Sequence, residues 1–270
     1  LFFMTLSLNS QLEKLYRDYT KREYIDPDPL MFLYEYEEPA DREIAALIAS
    51  SLAYGRVQQI LKSIRSALAV MGSSPFSFAL KGSEKQFRSA FADFRHRFTT
   101  GEDMALLMCG VRKALRTHGS LQQTFLSHYS DTDETLLPAL TGFSHELCCF
   151  FPEHASYLLP SPEKGSACKR ANLMLRWLVR TDAVDPGCWD RVPKRKLLVP
   201  LDTHMFRIAK ELGLCSRSSA NLNAVLEITR AFAAFAPEDP VKYDFALTRF
   251  GIHPVVNKKK LPVKLEKKGA

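Results

Sequence analysis

Apolar residues recur along this chain at steps of three and four, the period of one face of an α-helix, and few stretches show the strict alternation of a half-buried strand. Ile44, Leu47, Ile48, Ser51 and Leu52 form one such face behind Asp41, which is placed to cap a helix from Arg42 onward. Tyr54-Gly55-Arg56 interrupts that face and either bends the helix or ends it. Val57, Ile60, Leu61, Ile64 and Leu68 carry a second amphipathic segment that stops near Gly72-Ser73-Ser74-Pro75. The same phase continues through Phe87, Phe91 and Phe94, then Met104, Leu107, Met108, Val111 and Leu115, and again from Leu136 to Phe150. The pattern predicts an almost all-helical protein of many short helices, with Phe91, Phe94 and Trp177 as core residues rather than surfaces for base stacking.

A turn-rich break, Leu159 to Gly165, precedes a helix starting near Lys169. Leu173, Leu175, Trp177 and Leu178 drive that segment into the core and leave Lys169, Arg170, Arg176 and Arg180 for its polar side. A second break, Asp182 to Pro193, leads into Arg191, Lys194, Arg195 and Lys196 and then the apolar run Leu197-Leu198-Val199. Beyond Asp202, the spacing of Phe206, Ile208, Ala209 and Leu212 predicts a helix ending at Gly213, with further helices over 222–235 and 241–250. The expected organisation is a discontinuous helical subdomain carrying the hairpin-like segment, 1–40 with 155–257, a second helical subdomain, 41–154, and a basic tail, 258–270.

With 270 residues, 46% of them hydrophobic, the chain suits one large domain or two small ones sharing a broad interface. Thirty-seven Lys and Arg against 30 Asp and Glu give a formal charge of +7, which favours a polyanionic partner such as nucleic acid without identifying it; a basic protein with no such partner would carry the same excess. The tail from Lys258 to Lys268 carries much of that excess, so a binding face requires the remaining charges to be segregated. Leu1 to Leu8 is apolar but lacks a basic leader, and no other stretch is long enough to span a bilayer, so no membrane association is expected. Cys109, Cys148, Cys149, Cys168, Cys188 and Cys215 contain no Cys-x-x-Cys and do not read as a disulfide framework, a zinc knuckle or a cluster site. The expectation is a cytoplasmic monomer without metal or cofactor.

The candidate chemistry lies in Lys169 and Asp202. At a helix start, Asp202 can accept the amide of His204 or Met205, which fixes its carboxylate in direction; capping alone would also explain it. Lys169 is either a nucleophilic amine or a solvated phosphate contact, and the adjacent Arg170 disfavours a second positive charge beside it. His204 can touch a phosphate or complete a polar face. Tyr54 and Arg56, at the glycine-containing interruption, are candidates for contact with a DNA groove, and Lys194, Arg195 and Lys196 for contact with phosphates. No glycine-rich phosphate loop, nucleophile elbow or metal-hydrolase spacing is present.

The segments Gly165 to Arg176 and Leu197 to Arg207 resemble the hairpin-second-helix and aspartate-helix segments of the helix-hairpin-helix DNA glycosylase superfamily. Leu47 to Ile60 with Ala53-Tyr54-Gly55-Arg56, Lys169 to Trp177, Asp202-Thr203-His204 and Val241 to Gly251 are similar to the bacterial family DUF2400, and this second resemblance covers most of the chain. The glycosylase resemblance implies an all-α fold of two helical subdomains flanking a cleft, with Lys169 as Schiff-base lysine and Asp202 as catalytic aspartate; Arg170, Tyr54, Arg56, His204 and Lys194 to Lys196 are the residues expected at the nucleic acid. The hairpin's usual second glycine is Ala167 here, and the cysteine-ligated cluster of many relatives has no ligands. Three readings stay open: a lyase-capable DNA glycosylase, a noncatalytic nucleic-acid-binding protein of the same fold, and a helical protein-interaction domain. Approach of Lys169 and Asp202 to within roughly 8 Å across a concave cleft is the discriminating expectation.

Overall fold

Small polar residues and prolines decide where the helices begin. In the computed structural model, which describes residues 2–154, 156–253 and 256, Ser74 accepts the amide of Ser77 and Ser83 that of Gln86. Thr100, Ser120 and Asn221 take the amides of Asp103, Gln123 and Ala224 in the same way. The resulting helices are α1 (Phe2–Tyr19), α2 (Pro39–Ser51), α3 (Val57–Ala69), α4 (Pro75–Lys81), α5 (Glu84–Ala90) and α6 (Gly101–His118). They continue as α7 (Leu121–Leu126), α8 (Leu137–Leu147), α9 (Lys169–Val179), α10 (Thr203–Glu211), α11 (Leu222–Ala233) and α12 (Asp244–Ile252). Short 3-10 turns at Arg22–Tyr24, Pro29–Glu35, Pro152–His154, Pro162–Lys164 and Lys194–Lys196 link them. The basic tail read from the sequence, 258–270, lies outside the described residues.

The protein is predominantly helical, as the periodicity predicts. Ile44, Leu47, Ile48 and Leu52 are fully buried, as are Met104, Leu107, Met108 and Val111. The chain breaks after α2 instead of bending: the helix ends at Ser51 with Leu52 as its C-cap, and Gly55, at φ +103°, turns the connecting loop before Val57 starts the next helix. α2 packs against α9, the Pro29–Glu35 turn, α3, α4 and α7, while α6 packs against α4, α5, α7 and α8. At the α6–α8 crossing a Cβ on Gly110 would stand 1.9 Å from the Leu147 carbonyl oxygen, so that approach needs glycine. α12 packs on both α1 and α10.

Two sequence expectations change. Asp41 does not cap its own helix; it lies within the first turn of α2, where Oδ1 accepts from Ser74 Oγ (2.7 Å) and Phe76 N (2.8 Å) and ties α2 to the start of α4. Arg176 and Arg180 do not line a polar face but are 2% exposed. Arg176 pairs with Asp185 (3.2 Å) and Asp244, and Arg180 with Asp182 (2.9 Å), Asp239 (3.0 Å) and Asp185. Helical periodicity shows where these arginines point, but not that carboxylates from distant segments meet them.

One small element has no counterpart in the sequence reading. β1 (Arg95–His96) and β2 (Thr99–Thr100) pair antiparallel as a hairpin whose tip is Arg97, at φ +52°, and Phe98. Tyr54 O–H donates to the His96 carbonyl (2.8 Å) and lies 2.7 Å from Thr99 Oγ1, anchoring the hairpin to the chain just before Gly55. No helix among the described residues is long and apolar enough to cross a membrane.

Candidate functional site

Lys169 and Asp202 stand at the starts of two helices. Cys168, in the left-handed region at φ +44° and ψ +39°, turns the backbone immediately before Lys169, the first residue of α9. The preceding turn is held by Ser166 Oγ accepting the Cys168 amide (3.2 Å), by Asn172 Nδ2 donating to the Ala167 carbonyl (3.2 Å), and by the Leu222 amide donating to the Gly165 carbonyl (3.1 Å). Gly165 itself sits at φ +72°. These bonds pin the start of α9 to the start of α11.

Asp202 is the N-cap of α10, and its Oδ1 accepts the Met205 amide at 2.8 Å, one of the two bonds the sequence allows. Its other oxygen, Oδ2, lies 3.3 Å from Lys169 Nζ. The carboxylate is thus divided, one oxygen fixing its direction and the other facing the amine. The Lys169 side chain is 36% exposed and that of Asp202 16%, so the pair is reachable from solvent without being a surface ion pair.

The pair borders a cavity of about 310 Å³, walled on its apolar side by Val57, Ile60, Leu173, Trp177 and Ile252. Its charged lining includes Asp28, Arg176, Asp244 and Arg249 in addition to the pair. An adjoining cavity of about 580 Å³ shares Ala53, Gly55, Ile60 and Lys169 and extends along the Gly165–Arg170 turn to Tyr157. Lys169 therefore lies where two connected concavities meet.

The remaining sequence candidates separate into groups. His204 lines the first cavity beside Asp202 and packs against α12, where a Cβ on Gly251 would stand 2.5 Å from its Nδ1. Tyr54 lies in the second cavity, and Arg56 is the exposed N-cap residue of α3. Arg170 is also in that cavity wall, but its guanidinium donates to the Ser51 carbonyl (2.7 Å) and the Tyr157 carbonyl, and stacks over Tyr54 and Tyr157 at 4.9 and 4.4 Å. Burial pulls its pKa below the ordinary arginine value. The basic run lies apart from the pair: Lys196 is buried, donating to Tyr129 Oη (2.8 Å) and the Asp131 carbonyl (2.9 Å). Lys194 pairs with Asp239 at 3.8 Å, and Arg195 is exposed. Arg195 and Lys196 line a different pocket that shares no residue with the two around Lys169.

Several residues at the site carry no sequence signal. Phe98 is 71% and Tyr157 55% exposed, with ring centroids 6.1 Å apart, and Tyr157 meets Tyr54 edge-on at 5.0 Å. Arg97 stands over Phe98 at 5.4 Å and packs so closely on Gly55 that a Cβ there would be 3.0 Å from its Cδ. The hairpin is too short for any period, and Tyr157 sits in a break between helices. Asp244 and Arg249 read as ordinary helix residues until α12 is docked; only their spacing on one helix was visible.

No curated protein and no solved structure gives a significant match to the chain. Residues 28–253 match the model of the family described as "Protein of unknown function (DUF2400)", and the chain belongs to that family.

Proposed function

We propose that the chain is a DNA glycosylase with lyase capacity, acting through Lys169 and Asp202. The observation that carries the reading is the 3.3 Å approach of Lys169 Nζ to Asp202 Oδ2 at two helix starts bordering a cavity large enough for a nucleobase. Residues 41–154 would form one side of the cleft, and residues 1–40 with 155–257 the other. The damaged nucleotide is swung out of the duplex, its base enters the cavity and its C1′ meets Lys169.

Lys169 first yields a proton, which Asp202 is positioned to take. The Nζ lone pair then bonds to C1′ while the C1′–N bond breaks, its electrons leaving with the base, which takes the proton from Asp202 as it departs and so restores the carboxylate. Opening of the sugar ring at O4′ gives a protonated Schiff base. Loss of a C2′ proton with expulsion of the 3′ phosphate breaks the strand, whereas attack by water frees Lys169 and leaves an abasic site. The Asp202 carboxylate lies next to the positive charge that develops on the sugar. Arg56 and Arg97 at the rim supply contacts for phosphates, and Phe98 and Tyr157 supply faces for unstacked bases.

Borohydride reduction tests the reading directly, because hydride addition to the C=N bond leaves a stable amine cross-link. The expected result is an adduct with DNA carrying an abasic site or one of a panel of damaged bases, absent in the Lys169→Gln variant. Failure to trap any substrate while duplex binding persists rejects the amine mechanism. That outcome favours the second reading, a nucleic-acid-binding protein without base excision, which the exposed aromatic and basic rim also suits.

A further inference from the structure

Strand cleavage needs a base for the C2′ proton of the Schiff base, and the pair that attacks the sugar is poorly suited to supply it. Once joined to C1′ in the protonated Schiff base, the Lys169 nitrogen has no lone pair to give. Asp202 has one oxygen on the Met205 amide and the other beside the nitrogen that carries the positive charge. A carboxylate is also a weaker base than an imidazole by roughly two to three powers of ten.

The 310 Å³ cavity holds one group free for the task. Of its charged lining, Lys169 meets Asp202 at 3.3 Å, Arg249 meets Asp28 at 2.8 Å, and Arg176 meets Asp244. His204 is the one titratable residue of that lining with neither a hydrogen-bond nor an ion-pair partner among the described residues. Its side chain is half-buried, and α12 sets the orientation of the ring. A Cβ on Gly251 would stand 2.5 Å from His204 Nδ1, 2.7 Å from its Cγ and 2.8 Å from its Cβ. That edge therefore rests on the Gly251 backbone, and the opposite edge, which carries Nε2, is the one turned away from α12. His204 follows Asp202 by two residues in the first turn of α10, and both border the cavity together with Lys169. C2′ is bonded directly to the C1′ that Lys169 attacks, so its base must stand in this same neighbourhood.

We propose that His204 is the base of the strand-cleaving step, its Nε2 taking the C2′ proton of the Schiff base formed on Lys169. The C2′–H electrons become a C1′=C2′ double bond as the C=N electrons move onto nitrogen. The nitrogen lone pair then re-forms C=N, the C1′=C2′ electrons shift to C2′=C3′, and the C3′–O bond breaks with its electrons leaving on the 3′ phosphate. The proton stays on the imidazolium until water removes it. The inference rests on the glycosylase reading, which supplies the Schiff base, but it assigns a step that formation of the Schiff base does not require.

Duplex DNA with one abasic site separates the two steps in the full chain. The borohydride adduct reports the Schiff base, and strand cleavage without borohydride reports elimination. His204→Gln is expected to form the adduct at a rate within about threefold of the parent while cleaving the strand roughly 100-fold more slowly. Imidazole added to His204→Ala restores cleavage beyond its effect on Lys169→Gln, which gives the background rate of the free base. Gly251→Ala, whose methyl group displaces the ring without removing it, slows cleavage in the same direction. Three results overturn the assignment while leaving the lysine reading standing: cleavage by His204→Gln at the parent rate, an equal loss of adduct and cleavage in a variant that melts like the parent, or adduct without cleavage in the parent. Absence of any adduct in the parent sinks both.

Discussion

Asp202 holds two positions at once, and its two oxygens allow them to be separated by mutation. Asn at 202 still offers an oxygen to the Met205 amide, and Asn caps helices about as well as Asp. Asp202→Asn is therefore expected to leave the unfolding free energy within about 0.5 kcal/mol of the parent. It is also expected to slow borohydride trapping by roughly 100-fold or more, because the charge facing Lys169 is gone. Asp202→Ala loses the cap as well and should cost about 1 kcal/mol in a urea melt. Equal trapping rates for Asp202→Asn and the parent would assign the residue to capping alone. At this scale the sequence was informative: a helix-start aspartate and a lysine were legible as a pair of candidates from their local context. Their 3.3 Å separation was not, since residues far apart in the chain acquire a distance only from the packing of α9 and α10.

The hairpin is the element that most changes the picture of the site. It presents Phe98 beside Tyr157, which lines the second cavity, and because the Phe98 ring is 71% exposed it contributes little to the core. Phe98→Ala should leave the melting temperature unchanged and weaken binding to DNA with an unpaired nucleotide by about 1–3 kcal/mol, read by fluorescence anisotropy. Unaltered affinity would remove the hairpin from the interface. Its seat is sensitive to pH through His96, a fully buried ring whose Nδ1 meets Ser63 Oγ at 2.9 Å and whose Nε2 meets the Tyr54 carbonyl at 3.0 Å. Burial, reinforced by Arg97 and Arg170, holds the His96 pKa below its ordinary 6.5. The unfolded chain therefore takes up the proton first, so this contribution to stability is present above pH 6.5 and is lost as pH falls through 6.5 toward the depressed folded value. Thermal melts in that window should show stability declining on acidification, with a shallower decline in His96→Gln. His253, also displaced downward by burial, adds a slope of the same sign.

Across the whole molecule, buried ion pairs join segments that are remote in sequence. Arg176 on α9 reaches Asp185 in the following loop and Asp244 at the start of α12, and Arg180 extends the network to Asp182 and Asp239. Replacing Arg176 with Met would leave Asp185 and Asp244 with an unbalanced buried charge, at an expected cost of about 3–5 kcal/mol in denaturant unfolding. A loss below about 1 kcal/mol would show that water or the remaining arginine compensates. Arg176 and Asp244 also line the cavity, so the network that joins α9 to α12 forms part of its wall.

Helix positions and many of their caps were determined locally. Periodic apolar residues specify which face is buried, and Ser74 and Asp202 mark helix starts with side chains that act within a few residues. Asp41 marks the limit of such signals: the same carboxylate that would cap its own helix finds the start of α4 instead, because docking brings Ser74 and Phe76 within bonding distance. The tertiary structure alone decided that Arg176 and Arg180 are interior, that Lys196 is taken up by Tyr129 and Asp131, and that Phe98 and Tyr157 share a rim. It also brought Trp177, Asp244 and Arg249 to one cavity. The reason is physical: periodicity encodes how each segment meets water, whereas charge pairing and cavities depend on the separation of atoms that the chain connects only through long excursions.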